Sequence, residues 1–156
     1  MKESSEPTLE KELTEHPEMG NVREFLENEL RNIEYPRGKE ELKLEELQHE
    51  GKFFGAGFEY NNCPGGPNHI NFWGGFSTAS GQLVIQNITV GASIRKKGIA
   101  SQIIRMLERL AIKYGCEKSK LWRVQTIPGL RLAQSLGYED SSKGRYLGMD
   151  HYKNLK

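Results

Sequence analysis

The sequence predicts a single mixed α/β domain built on a mostly antiparallel β-sheet. Apolar residues follow a strand-like pattern over much of residues 41–90, and a strongly amphipathic helical pattern begins at residue 98. A chain of 156 residues with 36% apolar side chains suits one compact domain of common size.

Charge is distributed unevenly along the chain. Residues 1–50 contain fifteen Glu and seven Lys or Arg, whereas residues 51–156 contain fifteen Lys or Arg and six acidic residues. The net charge of +1 therefore hides an acidic first part and a basic second part. A basic globular part attracts a phosphorylated cofactor, a nucleic acid or an acidic protein surface, and charge alone does not choose among them.

Cysteine content and hydropathy exclude two classes of protein. Cys63 and Cys116 are too few for a disulfide scaffold and are typical of a reducing compartment. No apolar run approaches the roughly 20 residues that span a bilayer, and the start MKESSEP lacks a signal-peptide pattern. Cys63 and His69 fall short of a zinc ligand set. We therefore expect a cytoplasmic protein with no metal and no membrane partner.

The N-terminal part divides into a tail and a helix. Residues 1–20 are rich in Glu, Ser, Thr and Pro and predict an acidic, mobile tail, which leaves residues 21–156 as the domain. Apolar residues at three- and four-residue spacing predict a helix over residues 21–33. Tyr35-Pro36-Arg37-Gly38 ends it.

A run of strands follows this helix. Leu42 and Leu44 alternate with polar residues, and apolar runs then occupy residues 52–60, 69–77 and 82–90. Turn residues separate these runs, which predicts an antiparallel meander. The glycines inside the strands indicate bulges or a close approach by another backbone or a ligand.

The C-terminal part alternates between helix and strand. The pattern predicts an amphipathic helix over residues 99–114 and a buried strand over residues 121–127. Pro128 suits the first turn of a short helix that ends at Gly137. Two weak strands complete the chain, at residues 138–149 and 151–155.

The segment 88–101, ITVGASIRKKGIAS, carries the strongest chemical signal. A strand leads into a loop with Arg95, Lys96 and Lys97, then a glycine, and then the amphipathic helix. The first amides of a helix lack partners and its dipole adds positive potential, so the segment predicts an anion-binding cradle. Gly98 lets a phosphate approach the backbone. A solvated basic turn before an ordinary core helix explains the charges equally well.

Residues 90–100, VGASIRKKGIA, resemble the cofactor loop R/Q-x-x-G-x-G/A of the Gcn5-related N-acetyltransferases (GNAT). The similarity continues through the helix of residues 98–114, the strand of residues 119–127 and the sequence Leu136-Gly137-Tyr138. It covers residues 80–155 well and residues 21–79 only in outline. The resemblance implies a GNAT-like mixed, mostly antiparallel sheet that is flanked by helices on both faces.

The same resemblance implies that acetyl-coenzyme A is the cofactor. The main chain of Ile88, Thr89 and Val90 would pair with its pantetheine arm, in a strand that splays from the next one. A backbone amide there would polarise the thioester carbonyl. The residues implied to hold the pyrophosphate are Arg95, Lys96, Lys97, Gly98, Ile99, Ala100 and Ser101.

The resemblance does not extend to the usual proton-transfer groups. Many family members have R-L-Y-x-x-x-G-F in the last helix, and here Ala133 replaces the tyrosine that protonates the thiolate. Glu59 and His69 are the remaining candidates for the base, and Tyr138 for the acid, with Tyr146 and Tyr152 as alternatives. Each also has an ordinary interpretation, because such residues are commonly solvated, satisfied in a turn or packed.

The sequence therefore predicts an acetyl-CoA-dependent N-acetyltransferase that acts on a primary amine by direct attack in a ternary complex. Phe72, Trp73 and Phe76 suit either a substrate wall or a strand buried on both faces, and they slightly favour a small molecule over a protein acceptor. Because Ala133 lacks a hydroxyl, a coenzyme A-binding regulatory or interaction module of the same fold is the alternative. A nucleic-acid or ribosome-contacting surface is less favoured, and exposed strand edges leave a homodimer open.

Overall fold

The computed structural model describes residues 19–35, 37–49, 53–62, 66–78, 80–95, 98–140 and 147–155. These residues form helices α1 (Met19–Arg31), α2 (Ile99–Lys113) and α3 (Ile127–Ser135). The strands are β1 (Glu40–His49), β2 (Phe53–Asn62), β3 (Ile70–Ser77), β4 (Gln82–Val90), β5 (Lys118–Val124), β6 (Glu139–Asp140) and β7 (Met149–Asn154). A 3₁₀ turn, Ala92–Ile94, follows β4.

The predicted tail lies outside the described residues except for Met19 and Gly20, which begin α1. The helix therefore starts two residues earlier than the apolar spacing indicated, and it ends at Arg31. Its apolar stripe, which contains Val22, Leu26 and Leu30, is buried. None of the described helices is long and apolar enough to cross a membrane.

The seven strands form one sheet in the order β1-β2-β3-β4-β5-β7-β6. Every neighbouring pair is antiparallel except β4 and β5, which are parallel and joined through α2. The prediction of a mixed, mostly antiparallel sheet is therefore confirmed, as is the meander of β1 to β4.

Strand β5 is displaced from its predicted position at residues 121–127. It runs from Lys118 to Val124, because Thr126 is the N-cap of α3. The Thr126 hydroxyl accepts a hydrogen bond from the Gly129 amide at 3.0 Å. A side-chain cap of this kind stabilises the start of a helix, so the chain leaves the sheet before Thr126. The predicted terminal pair becomes β6 and β7, with Met149 in β7.

The two faces of the sheet differ. Strand alternation directs the buried aromatic residues of β2 and β3 to one face, here called the inner face. These residues are Phe58, Tyr60, Phe72 and Phe76. They share one core cluster with α1 and α2, which pack against each other. The intervening residues of the same strands, including Glu59 and Trp73, lie on the opposite, outer face.

Candidate functional site

Strand β4 separates from β5 halfway along its length. Residues 82–85 of β4 pair with residues 118–121 of β5, and the parallel ladder ends at Ile85 and Leu121. Within the described strands, the rest of β4 pairs with β3 alone. This second half contains Ile88, Thr89 and Val90, and no described strand pairs with their edge toward β5.

A bulge marks the point of separation. The register between β3 and β4 shifts after Trp73, so Gln86 is an extra residue opposite the Trp73–Gly74 step. A Cβ atom on Gly74 would lie 2.2 Å from the Val84 carbonyl oxygen, which only glycine avoids. Such a bulge bends the strand and increases its twist. The prediction that strand glycines mark bulges is confirmed here, but the sequence did not locate Gln86.

The loop after β4 is held against the turn at residues 66–69. The Gly91 amide donates to the His69 carbonyl at 2.6 Å, and the Ser93 amide donates to the Pro67 carbonyl at 3.0 Å. A Cβ atom on Gly91 would lie 2.2 Å from the Pro67 carbonyl oxygen. The loop therefore depends on glycine at this position, and it places His69 beside the end of β4.

The anion cradle that the sequence predicts corresponds to the start of α2, where the helix begins. Gly98 is exposed, adopts a left-handed conformation with φ of 74°, and leaves the helix without a side-chain cap. The amides of the first turn, Ile99 to Ser101, have no acceptor within the helix, and the helix dipole favours an anion there. Ile99 is only 2% exposed, so its side chain belongs to the core and only its amide is available.

The cations of the loop are only partly described. Arg95 is exposed, and its Nε donates to the Val90 carbonyl at 2.9 Å, which fixes the guanidinium between the end of β4 and the start of α2. Lys96 and Lys97 lie outside the described residues. Amide donors and a guanidinium at one end of an open strand edge suit a diphosphate joined to an amide-containing arm. The residues present therefore fit coenzyme A.

A groove of about 900 Å³ reaches from β1 to β5 and is lined by residues of both faces, among them Glu59 of the outer face and Phe58 and Phe76 of the inner face. Trp73 and Trp122, which are 39% and 40% exposed, lie on opposite sides of β4 and line this groove. Glu59 lies in the groove and is also exposed. Phe72 and Phe76 are buried on the inner face, so the aromatic run serves the core and the groove together.

Cross-strand register connects Glu59 with the bulge. Glu59 pairs with Trp73, and Trp73 pairs with Asn87, which immediately follows the extra residue of β4. Adjacent strands are about 4.8 Å apart, so the backbone of Glu59 lies about 10 Å from that of Asn87. The Glu59 side chain spans about half of this distance, so its carboxylate reaches a group above β4 only where that group extends toward β2 or through water.

His69 is held in the turn that supports the loop. Its Nε2 lies 2.8 Å from Asn61 Oδ1, and the side chain is half-buried. The structure therefore places Glu59 and His69 at the same end of the sheet as the open part of β4. It leaves Glu59 as the more accessible of the two.

Tyr138 lies elsewhere, under α2 on the inner face. It is 2% exposed, and its hydroxyl donates to Glu108 Oε2 at 2.6 Å and lies 2.6 Å from Ser119 Oγ. Lys153 Nζ donates to both carboxylate oxygens of Glu108 at 3.1 Å. Burial and, next, the bond with Glu108 raise the pKa of Tyr138 above its usual value. We call Glu108, Ser119, Tyr138 and Lys153 the inner polar cluster.

This position argues against the prediction that Tyr138 is the acid of a transfer reaction. A proton donor must reach the leaving group. The Tyr138 hydroxyl is enclosed by the core, and it already donates its hydrogen bond to Glu108. Ala133, at the position of the family's tyrosine, is fully buried in α3. Of the two alternative candidates for the acid, Tyr152 is exposed on β7 and Tyr146 lies outside the described residues.

Comparison with known proteins identifies the fold. Residues 19–138 match the family model described as the acetyltransferase (GNAT) family. No curated protein sequence matches the chain. The structure is similar to that of a nourseothricin acetyltransferase, with 14% identity, coverage of 65% of this chain and 66% of that chain, and a TM-score of 0.51.

Two further structures are similar at lower TM-scores. An acetyltransferase from Bacillus cereus ATCC 14579 is 15% identical, with coverage of 86% of this chain and 89% of that chain and a TM-score of 0.47. The ribosomal-protein-S18-alanine N-acetyltransferase from Escherichia coli is 11% identical, with coverage of 74% and 95% and a TM-score of 0.46. At these identities the similarities concern the fold alone.

Proposed function

Because this chain belongs to the acetyltransferase (GNAT) family, we propose that it transfers an acetyl group from acetyl-coenzyme A to a primary amine by direct attack in a ternary complex. The observation that carries this proposal is the separation of β4 from β5 next to the uncapped start of α2. The groove lies beside the same opening and offers room for the amine.

The cofactor-binding residues act through their main chain. The amides of Gly98, Ile99, Ala100 and Ser101 bind the pyrophosphate, and Arg95 adds positive charge, as do Lys96 and Lys97 in the sequence-based assignment. The open edge of Ile88, Thr89 and Val90 pairs with the pantetheine arm. When bound, acetyl-coenzyme A supplies a thioester whose C–S bond breaks as the new C–N bond forms, which releases N-acetylated amine and free thiol.

Glu59 is our candidate for the base. It is an exposed carboxylate on the groove floor, about two strands from the bulge, and it accepts a proton from the bound ammonium directly or through one water. His69 is the second candidate. No acid is assigned, since Tyr138 is enclosed, and proximity of the amine to the thioester accounts for much of the rate.

Thiol release tests the proposal. The protein is incubated with acetyl-coenzyme A and a panel of primary amines, and free thiol is followed with a chromogenic reagent. We expect thiol only when protein and a suitable amine are both present. Thermal stabilisation by coenzyme A without thiol release would instead favour the non-catalytic module, which the buried Ala133 supports. Absence of both effects would contradict the cofactor assignment.

The groove favours a small molecule as the acceptor. Its volume of about 900 Å³ lies within the range of small-molecule sites, which is roughly 300–1,000 Å³. A protein acceptor remains the alternative, and a peptide with a free N-terminus and an internal lysine belongs in the amine panel. Salt-sensitive RNA binding that coenzyme A does not change would favour the nucleic-acid hypothesis instead.

A further inference from the structure

A second bulge lies in β5, directly beyond the point where β4 and β5 separate. Two residues of β5, Trp122 and Arg123, lie opposite the single residue Asp150 of β7. The β4–β5 ladder ends at Leu121, one residue before this bulge. In β4, the extra residue Gln86 likewise follows the last pair directly. Both strands of the ladder therefore become irregular as soon as their pairing ends.

Arg123 has a backbone conformation that is unfavourable for its own side chain. Its φ is 45°, and among the described residues it is the only one other than glycine with a positive φ. In this left-handed region a Cβ atom approaches the backbone carbonyl oxygen too closely, a cost that glycine avoids. Arg123 is exposed, so burial of its side chain does not offset the strain. Such a conformation persists only where neighbouring contacts hold it.

Asp150 supplies a contact that holds Arg123. Its Oδ1 accepts a hydrogen bond from the Arg123 amide at 2.8 Å, and a charged acceptor makes such a bond stronger than a neutral one. Its Oδ2 lies 4.0 Å from Lys120 Nζ. The Arg123 guanidinium lies 4.8 Å from the centre of the Trp122 ring, which lines the groove. The carboxylate therefore fixes the bulge from the β7 side.

The position of this bulge connects it with the unpaired edge of β4. A bulge bends its strand and increases the local twist. If Arg123 relaxed to an extended conformation, β5 would continue regularly and would extend its parallel ladder along β4 toward Ile88 and Val90. The main-chain donors and acceptors of that edge would then pair with β5 instead of with a ligand.

We propose that Asp150 is a positioning residue for the cofactor. By holding Arg123 in the left-handed conformation, it keeps β5 bent away from β4 and leaves the edge of residues 88–90 free for the pantetheine arm. Asp150 acts through Arg123 and not through contact with the cofactor. This assignment rests on the proposed function, because it concerns the cofactor of the same reaction.

Coenzyme A affinity tests the role of the carboxylate. Asp150→Ala removes the acceptor, so fewer molecules have the cleft open before binding, and calorimetric titration should show about tenfold weaker binding of coenzyme A. Asp150→Asn keeps an acceptor oxygen and should bind within about twofold of the wild type. Asn154→Ala, at an exposed residue of the same strand, is the control and should bind normally. Thermal unfolding verifies that each variant is folded.

A glycine substitution tests the cause of the effect. Glycine adopts a positive φ without the steric cost, so in the Arg123→Gly background Asp150→Ala should weaken coenzyme A binding less than about twofold. Arg123→Gly alone is the reference, because it also removes the guanidinium from the Trp122 ring. A tenfold effect of Asp150→Ala in both backgrounds would show that the carboxylate does not act through Arg123, and it would overturn the assignment.

Kinetics separate a positioning role from a loss of stability. A smaller folded fraction lowers the apparent kcat and leaves KM unchanged, whereas a cleft that is closed more often raises the KM for acetyl-coenzyme A. We expect Asp150→Ala to raise this KM about tenfold and to change kcat less than about twofold. A fall in kcat with an unchanged KM would overturn the assignment.

The same measurements distinguish this inference from the proposed function. If the wild type binds coenzyme A but no amine causes thiol release, the proposed transfer fails, and weaker binding by Asp150→Ala still supports the inference. If the wild type binds coenzyme A and Asp150→Ala binds it equally well, the inference alone fails. If the wild type does not bind coenzyme A, both fail.

Discussion

Ionisable side chains lie on both faces of the sheet, but their surroundings differ completely. On the inner face, Glu108 and Tyr138 are buried and bonded to each other. On the outer face, Glu59 is exposed in a groove beside Trp73. Location, rather than residue type, therefore separates a carboxylate that stabilises the fold from one that is available to a ligand.

The largest expected effect concerns the outer carboxylate. Glu59→Gln removes the proposed base while keeping its size, so we expect kcat/KM for thiol release to fall by about 10²- to 10⁴-fold. Glu139→Gln, at an exposed glutamate of β6, is the matched control and should retain full activity. Wild-type activity in Glu59→Gln would show that Glu59 is not the base and would leave His69 as the candidate.

The next effect concerns the loop after β4, which contains Gly91. Because a Cβ atom on Gly91 would collide with the Pro67 carbonyl, Gly91→Ala should lower the free energy of unfolding by about 1–3 kcal/mol and weaken coenzyme A binding. Urea unfolding and calorimetric titration measure both. Gly20→Ala, where a Cβ atom meets nothing within 4 Å, should cause no loss in either. Equal behaviour of the two variants would contradict the close approach.

A substitution in the inner polar cluster should lower stability without lowering activity. Tyr138→Phe leaves Glu108 and Ser119 each without one hydrogen-bond partner, so the free energy of unfolding should fall by about 1–3 kcal/mol. Activity per folded molecule should change less than about twofold. Tyr152→Phe, at an exposed position, is the stability control. A large fall in kcat without loss of stability would place Tyr138 in the reaction after all.

The smallest expected effect is the fall in the free energy of unfolding at alkaline pH, which tests the inner polar cluster specifically. The folded state raises the pKa of Tyr138, so near pH 10 the unfolded chain loses this proton while the folded chain keeps it. Stability is therefore fully present below about pH 10 and falls above it, by up to about 1.4 kcal/mol per pH unit for this group. Urea titrations at several alkaline pH values should show a shallower fall in Tyr138→Phe. Identical slopes would contradict its burial.

Local patterns in the sequence were sufficient for most of the fold. Alternation predicted β2, β3 and β4 to within about two residues, and the 3.6-residue period predicted α2, since these elements bury one continuous apolar face. Strand β5 was misplaced because a hydroxyl cap at Thr126 overrides an apolar run. A short apolar run suits either a buried strand or part of a helix, and here the cap shows where the helix begins.

The candidate site was only partly predictable, for a different reason. The loop at Arg95 and Gly98 is contiguous in sequence, so the anion-binding hypothesis could be formed from the residues themselves. Other neighbours depend on strand register, since Asn61, Asn71 and Thr89 meet only after β2, β3 and β4 have paired. The burial of Tyr138 likewise depends on a contact with Glu108, thirty residues earlier. Neither pattern has a local signal.

Calorimetric titration of coenzyme A tests the central claim most directly. The wild type should bind, and Arg95→Glu combined with Gly98→Asp should lose at least about 100-fold in affinity, because two charge-assisted contacts become repulsive. Arg105→Glu, at an exposed arginine of α2, makes the same charge change as Arg95→Glu but away from the cradle, and it should bind normally. Unchanged binding by the double variant would contradict the assignment of the α2 N-terminus as the cofactor site.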